Sequence, residues 1–168
     1  FYRPLSREVF NLLMYKSFGL SPYPFHLFNL FLISLIGVLS FVLIKKVCRN
    51  SKVAFFSLII YMFSSVHSIE LYYLASVQTL WASVFSLLSL IFYLIFLEKR
   101  FLSCYLSSVL FYLIALFCHE SVIILPGIII LISLLKSKNR FFFKLWQVVP
   151  IIVLGFIYLL SIGSLSNL

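Results

Sequence analysis

Acidic residues are almost missing from this chain. Of 168 residues only four are Asp or Glu, against thirteen Lys and Arg, for a formal net charge of +9. Charged residues of both signs make up 10% of the chain, where a soluble domain carries roughly a quarter. Glycine is scarce as well: five residues, none in a GxGxxG or Walker pattern, which excludes a glycine-rich phosphate loop. Three cysteines, Cys48, Cys104 and Cys118, lie too far apart for a CxxC redox or zinc pattern. They read as small apolar packers, with no disulfide and no metal expected. No repeat, low-complexity tract or soluble domain interrupts the sequence.

What remains is apolar. The hydrophobic fraction is 64% and the mean hydropathy +1.18. A body of this size leaves a large share of its surface uncovered, so that much apolar area cannot hide in one core. The bilayer is the expected solvent. The basic excess sits in short clusters between apolar runs, the pattern of cytoplasmic loops rather than of a nucleic-acid surface, so no nucleic-acid partner is expected.

Six apolar runs stand out, at about 25–44, 53–66, 78–97, 102–118, 121–135 and 146–162. About 20 apolar residues cross the hydrocarbon layer as a helix. The first and third runs reach that length. The second gains it by continuing through His67-Ser68-Ile69-Glu70, and the fifth by starting inside Cys118-His119-Glu120, with a kink at Pro126-Gly127. None of the runs alternates as a barrel strand does. The expected fold is all-α: a polytopic bundle of about six transmembrane helices over 25–168. Before it, 1–24 forms an extracytoplasmic interfacial segment. Within that segment Leu5, Val9, Leu12 and Leu13 share a face, which suits a helix lying in the interface or an ordinary amphipathic surface helix. Serines recur inside the runs, among them Ser34, Ser40, Ser57, Ser64, Ser86, Ser89, Ser107 and Ser108, as small helix-contact residues.

Charge gives the orientation. Lys45, Lys46, Arg49, Lys52, Lys99, Arg100, Lys136, Lys138, Arg140 and Lys144 fall in alternate loops, and only Arg3, Arg7 and Lys16 fall in the others. The positive-inside rule puts the first set in the cytoplasm and both ends of the chain outside. All three histidines, His26, His67 and His119, then lie on the outer side with Glu8, Glu70 and Glu120. The chain starts at Phe1 with no recognisable signal peptide, and it reads as a piece of a longer protein.

His67 and Glu70, three residues apart, share a helix face and are followed by Tyr72 and Tyr73. They form either a polar pocket or an interfacial belt of rings. His119 and Glu120 are the whole polar content of one short turn. They either complement helix dipoles or face the bundle interior, where an ionisable group near hydrocarbon is stable. His26 opens the first span with Asn29 on its face, as cap, packer or ligand contact. Arg3 and Arg7 are the outer arginines, and a guanidinium fork fits phosphate oxygens. Gln78 and Thr79 begin the third span and either line the same cavity or cap the helix.

Tyr2-Arg3-Pro4-Leu5, then Gly19-Leu20 and Phe25-His26-Leu27-Phe28-Asn29, resemble a stretch of the C-type superfamily of membrane glycosyltransferases. The nearest likeness is to its protein O-mannosyltransferase-like branch, including the tetratricopeptide-linked transmembrane O-mannosyltransferases. His67-Ser68-Ile69-Glu70 is similar to that branch's second outer loop, without its usual proline. Ala115-Leu116-Phe117-Cys118-His119-Glu120, with Pro126 following, resembles its Ser-Lys-Glu turn, His119 standing at the lysine position. The likeness spans about residues 2–135. It implies an enzyme that moves a sugar from a polyprenyl- or dolichyl-phosphate carrier to an acceptor on the extracytoplasmic face. In that scheme Arg3 contacts phosphate and Glu70 and Glu120 orient the sugar or hold the site electrostatically, with His26 and His119 as further substrate-binding candidates. The acid usual in the family's first outer loop would lie upstream of Phe1, so this piece alone is expected to be inactive. Two other readings stay open: a transporter or channel segment, which needs polar groups at mid-bilayer depth, and a non-catalytic membrane scaffold. The run centres are Leu, Ile, Phe and Ser.

Overall fold

A computed structural model describes residues 8–73, 76–136, 148–158 and 160. Of these, 91% are helical and none is in a strand. In chain order the helices are α1 (Phe10–Phe18), α2 (Pro22–Cys48), α3 (Ser51–Met62), α4 (Val66–Tyr72), α5 (Val77–Lys99), α6 (Leu102–Cys118), α7 (Leu125–Lys136) and α8 (Val148–Tyr158), with a 3₁₀ turn, Glu120–Ile124, leading into α7.

Among the described residues two helices, α2 and α5, are long and apolar enough to cross a membrane. At 27 and 23 residues they reach about 40 and 35 Å. They run side by side in the same direction, and their two ends are marked. At one end Asn29 and His26 bond to the chain just before α5. At the other, Lys46 Nζ stands 3.5 Å from Glu98 Oε2. That ion pair is half open to solvent and adds little stability, but it shows that the two helix ends are level.

Helix starts and stops follow local chemistry. Pro22 sits in the first turn of α2, where its missing N–H is harmless. Arg49 and Arg100 end α2 and α5 in the left-handed conformation, each returning its N–H to the preceding turn. Asn50 caps α3 by accepting from the Lys52 and Val53 amides. Gly19, at φ 64°, closes α1.

Two expectations change. The second apolar run does not continue as one helix through Glu70. It stops at Met62, because Ser64 N–H and the His67 ring both take the Tyr61 carbonyl that continued helix would need. Pro126 makes no kink either. It falls in the first turn of α7, directly after the 3₁₀ turn, where its missing N–H costs no helix bond.

The core lies between α5, α6, α7 and α8, around Tyr93, Leu94, Tyr112, Leu116 and Ile129. A smaller cluster joins α2 to α5 through Leu32, Ile33, Ile36 and Leu80. Of the recurring serines, Ser89 and Ser108 clip two helices together, whereas Ser34 and Ser57 bond back to carbonyls of their own helix. Ser89 Oγ donates to the Ser108 carbonyl at 2.9 Å and Ser108 Oγ returns the bond at 2.8 Å. Gly37 lets α3 approach α2, since a Cβ there would stand 3.0 Å from Leu58 Cδ1 and 3.1 Å from Met62 Sδ. Large apolar side chains also cover the outside, including Leu27, Leu30 and Phe31 on α2 and Phe55, Phe56 and Ile60 on α3. Faces of that size are stable against lipid or another protein, not against water. On α1, Leu12 and Leu13 are exposed and Met14 is buried, with Phe10 packed on Phe28 at 4.9 Å.

Candidate functional site

The α3–α4 break creates a polar corner. His67 is buried at the start of α4, its ring edge-on to Tyr61 at 4.4 Å. Its Nε2 lies 2.7 Å from the Tyr61 carbonyl, and its Nδ1 lies 3.0 Å from Glu70 Oε2. The i,i+3 spacing read from the sequence is therefore a real contact. Both neighbours are acceptors when Glu70 is ionised. The pair is satisfied only if the ring carries both protons or if Glu70 carries one. Either way one proton is shared within a pair of zero net charge.

Helix α2 fastens this corner. Asn29, buried, donates to the Glu70 carbonyl at 3.0 Å, and Ser76 Oγ donates to the same oxygen at 2.9 Å. His26 Nδ1 donates to the Leu71 carbonyl at 2.6 Å. These are the last carbonyls of α4, which have no partner within their own helix. His26 thus does part of what the sequence left open: it caps, but it caps another helix rather than its own.

A cavity of about 880 Å³ opens beside the corner, lined by Tyr23, His26 and Leu30 from α2, Met62 through Ser65 from the break, and His67, Leu71 and Tyr72. That volume is in the range that holds small molecules. Its walls combine hydroxyls, aromatic faces and imidazoles, and no Lys or Arg is among the described lining residues.

His119 and Glu120 belong elsewhere. His119, extended between α6 and the 3₁₀ turn, accepts at Nδ1 from the Ser121 amide at 3.2 Å and from Ser121 Oγ at 2.6 Å. That is an N-cap. Ser121 and Thr79 line a second cavity of about 410 Å³ between α2, α5 and α7, together with Ser40, Ser83 and Ser86. The two cavities share no lining residue. The residues singled out in the sequence therefore divide: His26, His67 and Glu70 meet, whereas His119 and Glu120 sit beside the other cavity. Thr79 follows the second group and bonds its own helix at the Ser76 carbonyl, 2.6 Å away. Arg3 and Arg7 lie outside the described residues. No group of three metal-ligating side chains occurs among the described residues.

Sequence reasoning missed Tyr61, Ser65 and Tyr23 as parts of the first site. The Ser64-Ser65 pair just before His67 was the available sign of a helix break. Compared with family models, curated proteins and solved structures, the chain matches none.

Proposed function

We propose that this chain is a segment of a membrane glycosyltransferase that moves a sugar from a polyprenyl- or dolichyl-phosphate carrier to an acceptor on the extracytoplasmic face. The observation that carries the reading is the opposition of the two ends. The cavity lined by His26 and His67, with Glu70 bonded behind His67, lies at one end of α2 and α5. Lys45, Lys46, Arg49, Lys99 and Arg100 lie at the other. The positive-inside rule then turns the cavity outward.

In this reading the bundle crosses the bilayer about six times. Helices α2 and α5 are long enough alone. Helix α3 is too short at 12 residues, and the break with α4 completes its crossing. Broken helix at membrane depth is tolerated where it lines a cavity. Helix α1, with its exposed leucines, lies in the interface, and Arg3 before it meets the carrier phosphate. Glu70, held by His67, faces the sugar. Glu120, beside the second cavity, shapes the site electrostatically. The carrier lipid and membrane lipid are the partners.

Transfer of radiolabelled sugar from a polyprenyl-phosphate donor, measured with the full-length parent in proteoliposomes, tests this. Arg3→Ala, Glu70→Gln and Glu120→Gln each lower transfer and leave membrane insertion intact. Wild-type transfer in all three variants removes the site assignment. Solute flux through the same liposomes without any transfer removes the enzyme reading.

A further inference from the structure

Helices α2 and α3 form a hairpin joined only by Arg49 and Asn50, at the basic end of the bundle. Each helix sets a cation one turn, about 5 Å, outward of an aromatic ring. On α2, Lys45 follows Phe41, and its Nζ stands 5.9 Å from the ring centroid. On α3, Lys52 precedes Phe55 and Phe56. Between the helices lies an open groove of about 350 Å³, lined by Phe41, Ser51, Lys52, Phe55 and Phe56. Phe55 and Phe56 remain 54% and 64% exposed, so the described residues leave much of both rings bare. Charge at this end is not balanced from within. The chain has four acids. Glu98 is at this end and stands 3.5 Å from Lys46. Glu8, Glu70 and Glu120 lie toward the other end, before α1, in α4 and after α6. Lys45, Arg49 and Lys52 make no ion pair among the described residues. Asn50 already accepts from the Lys52 and Val53 amides, so an anion here meets side chains rather than the helix end.

We propose that this groove binds one anionic phospholipid of the leaflet it faces, with Lys52 and Lys45 on the headgroup phosphate and Phe41, Phe55 and Phe56 against the upper acyl chain. The proposal rests on the bundle crossing a bilayer, as in the proposed function, but not on sugar transfer. A phospholipid offers negative charge at the surface and hydrocarbon just beneath it. The groove presents cations and bare rings in that order. A choline lipid brings its own cation against the lysines and is disfavoured. The groove and the histidine-lined cavity lie at opposite ends of α2, so this lipid is not the occupant of that cavity.

The test uses the full chain in phosphatidylcholine nanodiscs. Each preparation contains a trace of phosphatidylglycerol or phosphatidylcholine with a photoreactive diazirine on one acyl chain, and mass spectrometry maps the adducts. The phosphatidylglycerol probe is expected to label Phe41, Phe55 and Phe56 about tenfold more than the choline probe does. Equal labelling by the two probes overturns the proposal. So does phosphatidylglycerol labelling spread evenly onto Leu102 and Leu106, which are exposed on α6 at the same end. Inorganic phosphate and an oligoglutamate peptide, compared at matched ionic strength, are expected to leave the label in place. Displacement by either overturns the proposal and assigns the groove to a free anion or an acidic peptide.

A second arm separates this groove from diffuse attraction to a basic surface. Lys45→Gln combined with Lys52→Gln is expected to bring the phosphatidylglycerol signal down to the choline level. Lys99→Gln combined with Arg100→Gln removes as much charge from the same end and is expected to leave the signal at the wild-type value. Equal losses in the two double variants overturn the proposal. If either does not fold, the labelling of the wild-type chain decides alone. Selective labelling in a parent protein that transfers no sugar refutes the transferase reading and leaves this one standing. Sugar transfer without selective labelling does the reverse.

Discussion

The side-chain amide of Asn29 donates to the main-chain oxygen of Glu70 at 3.0 Å, joining positions 41 apart in sequence. It is a long-range bond made by a residue that is 2% exposed. Among the described residues the Glu70 carbonyl has one other donor, Ser76 Oγ, whose single proton it shares with the Tyr73 carbonyl 2.7 Å away. Asn29→Ala therefore removes one bond without orphaning the oxygen, and is expected to cost about 1 kcal/mol. Asn29→Asp is worse, because an ionised side chain there cannot donate and faces a carbonyl; about 2–3 kcal/mol is expected. Denaturation of the two variants in mild detergent checks the order. A harmless Asn29→Asp would mean that α2 does not hold α4.

The His67–Glu70 pair makes a second prediction. Removing the carboxylate takes away the partner of Nδ1 and leaves that buried ring nitrogen without a hydrogen bond. Glu70→Ala is expected to destabilise by about 1–3 kcal/mol. Glu70→Gln retains an oxygen that accepts and loses less. Nitrogen NMR of the labelled His67 ring gives the matching sign. The ring shared with Glu70 reports two N–H protons or one proton exchanging with the carboxyl; in Glu70→Ala it reports a neutral ring with a single N–H on Nε2, held by the Tyr61 carbonyl. An unchanged nitrogen spectrum would rule out the contact.

How far these features were legible in the sequence depends on their range. The contact between His67 and Glu70 was readable because both sit on one helical turn, where spacing alone sets direction. The helical class and the segregation of cations from histidines were readable because each is a property of linear order. The stop at Met62 was not. The apolar run continues past it, and what ends the helix is competition for the Tyr61 carbonyl by groups three and six positions later. Nor was the grouping of sites readable. His119 and Glu120 share their side of the chain with His67, and only the packing of α2 between α3 and α5, and of α7 along α5, sets the turn they open, whose Ser121 lines the second cavity, apart from the first. His26 illustrates both cases: its place at the head of a span was visible, its partner 45 residues away was not.

Tyr112 and Gly155 offer a packing prediction. Tyr112 is fully buried, and its hydroxyl has no hydrogen-bond partner among the described residues. A Cβ on Gly155 would stand 2.5 Å from that hydroxyl, so α8 approaches α6 only because the position is bare. Gly155→Ala forces the ring aside and is expected to cost about 1–3 kcal/mol. Tyr112→Phe removes an unpartnered polar atom and is expected to be neutral or stabilising by about 1 kcal/mol. The combination is the sharper test. Without the Tyr112 hydroxyl there is room for the methyl, so the double variant should be more stable than Gly155→Ala alone, a coupling of about 1 kcal/mol or more on a thermal-unfolding cycle. Simple additivity would show that the two helices do not meet there.

Sidedness can be read with thiols already in the chain. Cys48 is exposed and closes α2 beside Lys45 and Lys46, at the basic end. Cys104 is half-buried and Cys118 buried, and each is replaced by alanine to leave a clean labelling background. Ser65, exposed in the α3–α4 break, lies on the wall of the larger cavity at the opposite end. In a Cys104→Ala, Cys118→Ala background carrying Ser65→Cys, a membrane-impermeant maleimide on intact cells should label position 65 and spare Cys48. After permeabilisation both should react. The reverse pattern would place the cavity lined by His26 and His67 in the cytoplasm. There the arginine, interface and sugar arrangement has no extracytoplasmic carrier to meet, and the transferase proposal fails with it.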